Sequence, residues 1–141
     1  MERFLALDIG DKRIGIAVSD PFNTYALPLK TYFRKNLRTD IPEIVKIIKE
    51  KEITTIVCGL PVNFDGSPSI QTTKTAYFID RLRENVNIPV ITVDERCTTV
   101  EAERVLIEED MSRKERKNYV DAIAATYILE GYLNNKNKKE I

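Results

Sequence analysis

Phe4-Leu-Ala-Leu-Asp8-Ile-Gly10-Asp-Lys12-Arg13-Ile-Gly15-Ile-Ala-Val-Ser-Asp20 is the stretch from which the architecture is read. Four apolar residues run into a carboxylate and a glycine, and a second apolar run, Ile14 to Val18, follows at once. A continuous apolar run closed by a turn residue reads as a strand buried on both faces. Gly10-Asp11 turns the chain, and Ile14 to Asp20 returns antiparallel as a hairpin. Asp8 therefore ends a central strand, where an ionised side chain needs a partner. Leaving it without one costs on the order of several kcal/mol. Either a cation satisfies Asp8, or it caps neighbouring backbone.

Downstream, Tyr25 to Phe33 adds a third strand to the meander. Asp40, with Glu43 three residues on, predicts a capping box that opens a helix whose stripe is Ile44, Ile47 and Ile48. Ile53 to Cys58 is a β-branched run suited to a buried parallel strand, ended by Gly59-Leu60-Pro61. A helix starts near Pro68, with Ala76, Tyr77 and Leu82 toward the core, and Pro89 to Val93 is the fifth strand. Thr98 and Glu101 cap a helix to about Glu109, Met111 to Asn118 is a basic connection, and a last helix runs from about Lys117 to Asn134. Three meander strands followed by α-β-α-β-α-α give an α/β fold: a five-stranded mixed sheet with helices on both faces. That order is the ribonuclease H-like pattern. One domain is expected over residues 1–135, with a charged tail over 136–141.

Composition narrows the chemistry. The 141 residues, 43% hydrophobic and 31% charged, suit a single domain with a proper core. No basic-apolar leader or membrane-length apolar run is seen, and two cysteines, Cys58 and Cys97, do not make a disulfide framework. A cytoplasmic protein without membrane association is the expectation. Twenty-two basic and 22 acidic residues leave no net charge, so global charge gives no argument for nucleic acid. The chain has no histidine. That removes histidine bases, histidine-activated nucleophiles and the usual zinc sites, so any metal is held by oxygen, which favours Mg²⁺ or Mn²⁺.

Carboxylates carry the functional argument. Ligands of open α/β sheets gather at the carboxyl ends of the strands, where Asp8 ends the first strand and Asp94-Glu95 follow the last. Asp121 lies in Tyr119-Val-Asp121-Ala-Ile-Ala-Ala-Thr-Tyr-Ile-Leu129, against a predicted buried stripe of Val120, Ile123, Ala124, Tyr127 and Ile128. Small neighbours let such a helix lie close to a sheet and aim Asp121 at the strand ends. The alternative is an ordinary first-turn Asp favoured by the helix dipole. Three converging carboxylates suit one or two hard cations, and two metals about 4 Å apart clamp the attacking and leaving oxygens of a phosphodiester.

With these residues in place, the chain resembles the YqgF/RuvX family, described as pre-16S rRNA nucleases and Holliday-junction-resolvase-like proteins. The matching pieces are Leu7-Asp8-Ile-Gly10 through Ser19-Asp20, Gly59-Leu60-Pro61 with Gly66-Ser67, Asp94-Glu95-Arg96 with Thr98-Thr99 and Ala102, and Asp121 with Ala124-Ala125. Each is weak alone; in this order and spacing the set is specific. The resemblance implies a ribonuclease H-like, metal-dependent nuclease with Asp8, Glu95 and Asp121 as catalytic metal ligands and Asp94 adjoining them. It implies a role in small-subunit rRNA maturation, with structured RNA as substrate.

Other residues keep two readings. Lys12 and Arg13 contact substrate phosphate or are surface charges, and Arg96 neutralises developing charge or pairs with Asp94. Arg113, Lys114, Arg116 and Lys117 form the best basic cluster. Lys117, four residues before Asp121, shares its helix face. Cys97 has no accompanying base, so a thiol nucleophile is disfavoured. Competing functions are a DNA-junction resolvase, which favours a homodimer over a monomer, and a non-catalytic ribosome or transcription-factor partner. An ATP-binding reading of Asp8-Ile-Gly10 lacks the second phosphate loop it needs.

Overall fold

The computed structural model describes residues 1–63, 65–94 and 113–139, with side chains of the last segment described over 120–136. The meander is β1 (Phe4–Ile9), β2 (Arg13–Ser19) and β3 (Ala26–Phe33). It is followed by α1 (Leu37–Glu50), β4 (Thr55–Leu60), α2 (Ile70–Arg83), β5 (Val90–Asp94) and α3 (Arg113–Lys139). The five strands form one sheet in the order β3-β2-β1-β4-β5. β1, β2 and β3 pair antiparallel, and β4 lies parallel to both β1 and β5. The mixed sheet expected from the sequence is therefore present. The helix expected from Thr98 to Glu109 falls outside the described residues.

Strand alternation divides the core between two faces. Leu5, Leu7, Ile9, Ile14, Ile16 and Ile56 meet α1 and α2 through Ile44, Ile48, Phe78, Ile79 and Leu82. Phe4, Ala6, Ala17 and Val57 meet α3 through Ala125, Ile128, Leu129 and Leu133. The small Ala6 and Ala17 let α3 approach the sheet closely. At the edge, β3 carries Pro28, opposite Ala17 beside a bulge. A residue without an N–H is tolerated at such a position.

Several local expectations shift. α1 starts at Leu37, three residues early, because Asn36 caps it by accepting from Thr39 N at 2.9 Å. Asp40 is not a cap. It is 0% exposed and accepts from Tyr32 Oη at 2.8 Å, Arg34 Nε at 3.2 Å and Lys35 N at 2.9 Å. β4 runs through Gly59 to Leu60 rather than turning there. α2 opens with a capping box between Ser69 and Thr72, and Tyr77 faces solvent rather than the core; Phe78 and Ile79 take that place. α3 begins at Arg113, so 113–118 is helix rather than connection. At its other end α3 continues past residue 135, where Lys136 Nζ lies 3.1 Å from Glu2 and over the Phe4 ring.

The Asp40 cluster is structural, and its removal should show as lost stability. Asp40→Ala strands the Tyr32 hydroxyl, the Lys35 amide and part of the Arg34 charge. The expected loss is about 2 kcal/mol in a urea titration, with Asp40→Asn losing less. Burial, then the hydrogen bond and charge of Asp40, push Tyr32 up to about 12. Its contribution is thus complete below pH 10 and lost as pH rises through the folded value.

Candidate active site

The turn after β1 is built tightly. Gly10 N donates to Arg13 O at 2.8 Å, and a Cβ on Gly10 would sit 2.9 Å from that same oxygen. Arg34 holds the turn from outside. Its Nη1 donates to Gly10 O at 2.7 Å and its main-chain N to Lys12 O at 2.8 Å, while its guanidinium lies over the Phe78 ring. Because Arg34 is in turn anchored on buried Asp40, the segment joining Asp8 to Arg13 is fixed to the core.

Asp8 alternates with Phe4 and Ala6, which places it on the face covered by α3. Its cross-strand partner is Gly15. The main chain of α3 rests on that glycine. A Cβ there would lie 1.8 Å from Asp121 O and 2.8 Å from Ala122 N. Residues directly opposite across an antiparallel pair have Cα atoms about 4.5–5.5 Å apart. Asp8 and Asp121 are therefore neighbours on one face, at the carboxyl end of β1.

Asp121 is 20% exposed, and Arg13 Nε stands 3.2 Å from its Oδ2. That contact is an ion pair without hydrogen-bond alignment, since Oδ2 is buried and, among the described residues, accepts no hydrogen bond. Burial raises the Asp121 pKa above 3.8, and the Arg13 charge opposes this only in part. The carboxylate is thus held short of ligands. A cleft of about 300 Å³ opens beside it, lined by Gly10, Asp11, Lys12, Arg13 and Asp121. An oxygen-only donor set with a buried, under-coordinated carboxylate oxygen fits a hard divalent cation.

The remaining candidates are placed as follows. Lys12 is exposed on the turn and Arg13 opens β2. Asp94 is the last residue of β5, paired with Leu60, and lines a cleft with Tyr127, Ile128 and Tyr132 of α3. β4 intervenes, and two strand spacings amount to about 9.6 Å. Glu95 and Arg96 lie outside the described residues, as does Cys97. Lys117 is in α3, one turn before Asp121, and its side chain is not among those described. Among the described residues no group of three potential metal-ligating side chains gathers.

The sequence reading missed Gly15, Arg34 and Asp40 as parts of the site. Of the predicted α3 stripe, Ala124 and Ile128 are buried, whereas Val120, Ile123 and Tyr127 are only half-buried; Ala122, Ala125, Leu129 and Leu133 complete the buried face. The contact of Asp121 main chain with Gly15 fixes the rotation of the helix.

Comparison with known proteins bears on the fold and the family. A 47% identical relative from Clostridium acetobutylicum, matched over 94% of this chain and 98% of its own length, is named "Putative pre-16S rRNA nuclease". A 46% identical relative from Halothermothrix orenii, over 96% and 97%, carries the same name. Among solved structures, RuvC of T. thermophilus in complex with a Holliday junction substrate superposes with a TM-score of 0.64. The match has 12% identity and covers 98% of this chain and 97% of that one. The Fowlpox virus resolvase in complex with Holliday junction DNA gives 0.60 at 13% identity, over 95% and 98%. The shared architecture is ribonuclease H-like. A family model described as "RuvX: Holliday junction resolvase" matches residues 2–135, and the chain belongs to the RuvX family.

Proposed function

We propose that the chain is a divalent-metal-dependent nuclease that hydrolyses phosphodiester bonds of structured RNA in the cytoplasm, acting in 5′-end maturation of pre-16S rRNA. The observation that carries the reading is the seating of α3 on Gly15, which brings Asp121, with its unsatisfied buried oxygen, beside Asp8. The names of relatives near 47% identity support the RNA substrate. Asp8 and Asp121 would hold Mg²⁺ or Mn²⁺, with Glu95 as third ligand and Asp94 adjoining. When bound, such cations activate water and neutralise the departing oxygen of a phosphodiester. Lys12, Arg13, Arg96 and Lys117 would hold substrate phosphate around these carboxylates. Arg13 balances the Asp121 charge, and at 36% exposure its guanidinium remains accessible at the cleft. Arg34 and Gly10 keep the Asp8 turn from shifting.

The family description supports a DNA junction as the second substrate. Incubating the protein with precursor 16S rRNA and with a four-way DNA junction, each with Mn²⁺ and with chelator, separates the readings. Metal-dependent cutting of the RNA alone is expected. Cutting of the junction alone would move the chain to the resolvase reading. Binding of either without cutting by wild type would make it a ribosome or nucleic-acid partner rather than an enzyme.

A further inference from the structure

A second cleft, of about 510 Å³, lies across the Gly10 turn from Asp121 and is lined by Asp11, Arg34, Thr73, Lys74 and Tyr77. It shares Asp11 with the first cleft, so the two adjoin at the turn. Its wall is α2, which presents Lys74, Tyr77 and Arg81 at spacings of three and four residues, one stripe of the helix. Tyr77 is 54% exposed although it lies on a helix packed on the sheet. Arg81 stacks on its ring at 5.1 Å. Among the described residues Lys74 is held by an open 3.7 Å contact with Asp11, and both are more than half exposed. An aromatic ring that contributes nothing to the core, braced by a cation and beside a weakly held lysine, is a stacking platform with a phosphate contact.

We propose that this cleft binds a single-stranded stretch of the nucleic-acid substrate next to the scissile bond, one base stacking on Tyr77 and a neighbouring phosphate on Lys74. The inference rests on the nuclease reading and sharpens it. A paired duplex hides its base faces, so only an unpaired segment gains from Tyr77. The strand would pass from the Asp8–Asp121 cleft over Asp11 to α2. Lys74 would exchange its long contact with Asp11 for the phosphate.

The test measures affinity by fluorescence polarisation in Asp121→Asn, added as a background mutation to prevent cutting. Probes are labelled single-stranded RNA, single-stranded DNA and an RNA duplex of equal length. In that background Tyr77→Ala should weaken single-strand binding about tenfold and leave duplex binding unchanged, while Tyr77→Phe binds as the parent does. Lys74→Ala should reduce the slope of log affinity against log salt by about 0.7. Equal single-strand affinity for Tyr77→Ala and its parent would overturn the proposal, as would an equal loss on duplex, or a parent that binds no single strand. The nuclease reading is judged separately, by cutting with the otherwise wild-type chain. Cutting with an unaffected Tyr77→Ala removes the platform alone; single-strand binding sensitive to Tyr77 without any cutting removes the enzyme and keeps the platform.

Discussion

Gly15→Ala is expected to be the most damaging alanine substitution among Gly10, Gly15, Gly66 and Gly131. The added carbon would sit 1.8 Å from Asp121 O and 2.1 Å from its carbonyl carbon. No side-chain rotation relieves that, because the clashing atoms are main chain on a packed helix. Ordinary overpacking costs roughly 1–3 kcal/mol. Here α3 must lift from β2 and β1, separating Ala125, Ile128 and Leu129 from Phe4 and Ala6, so a cost above that range is expected. In thermal melts this appears as a fall of about 10 °C or more. Gly131→Ala, where nothing lies within 4 Å of the new carbon, serves as the control and should melt with wild type or slightly above it. A Gly15→Ala variant with unchanged melting would mean that α3 does not rest on this glycine. The juxtaposition of Asp8 with Asp121 would then lose its support.

The same contact explains what could be read in advance and what could not. β1 was legible because its period is unmistakable: an apolar run, a carboxylate, a glycine, then a second apolar run. The pairing of β1 with β2 and the end of the sheet where Asp8 sits follow from that run. Asp121 was legible as a carboxylate among small apolar residues. Gly15 was not, since a glycine inside a strand has several explanations, and only the three-dimensional path of α3 selects close approach. Asp40 misled for a related reason. An Asp followed by Glu three residues on is the local signature of a cap, but Tyr32, Arg34 and Lys35 claim its oxygens from outside the helix. Local signals lose to partners brought by tertiary structure. Asp20 illustrates the converse: burial raises its pKa, the N–H groups of Tyr25, Thr24 and Phe22 more than offset this, and its value falls below 3.8. That carboxylate is fully served by its own turn and needs no cation.

Asp121 is not served in that way, and replacing it should therefore separate stability from activity. Its folded pKa is raised above 3.8 by burial, so ionisation favours the unfolded chain. The native state is fully favoured with respect to this group below pH 3.8 and loses that advantage as pH rises through the folded value. Asp121→Asn abolishes the loss. In chelator at pH 7 the variant should melt above wild type, and the difference should vanish below about pH 3.8. Adding Mg²⁺ or Mn²⁺ should reverse the order at neutral pH. A cation at ten times its dissociation constant stabilises the wild type by roughly 1.4 kcal/mol, a rise of about 3–6 °C, by binding the folded chain alone. Asp121→Asn and Asp8→Asn should lose that rise, and cleavage of precursor rRNA should fall at least about a hundredfold in each. The measurement is a melt of all three proteins with divalent cation against Na⁺ at matched ionic strength, alongside the cleavage assay. Equal cation shifts in wild type and both variants would place the cation elsewhere, and either variant retaining full cleavage would remove that carboxylate from the chemistry. A variant that melts below wild type in chelator at pH 7 would show that the Arg13–Asp121 pair outweighs the cost of burial, so that the carboxylate is kept for structure.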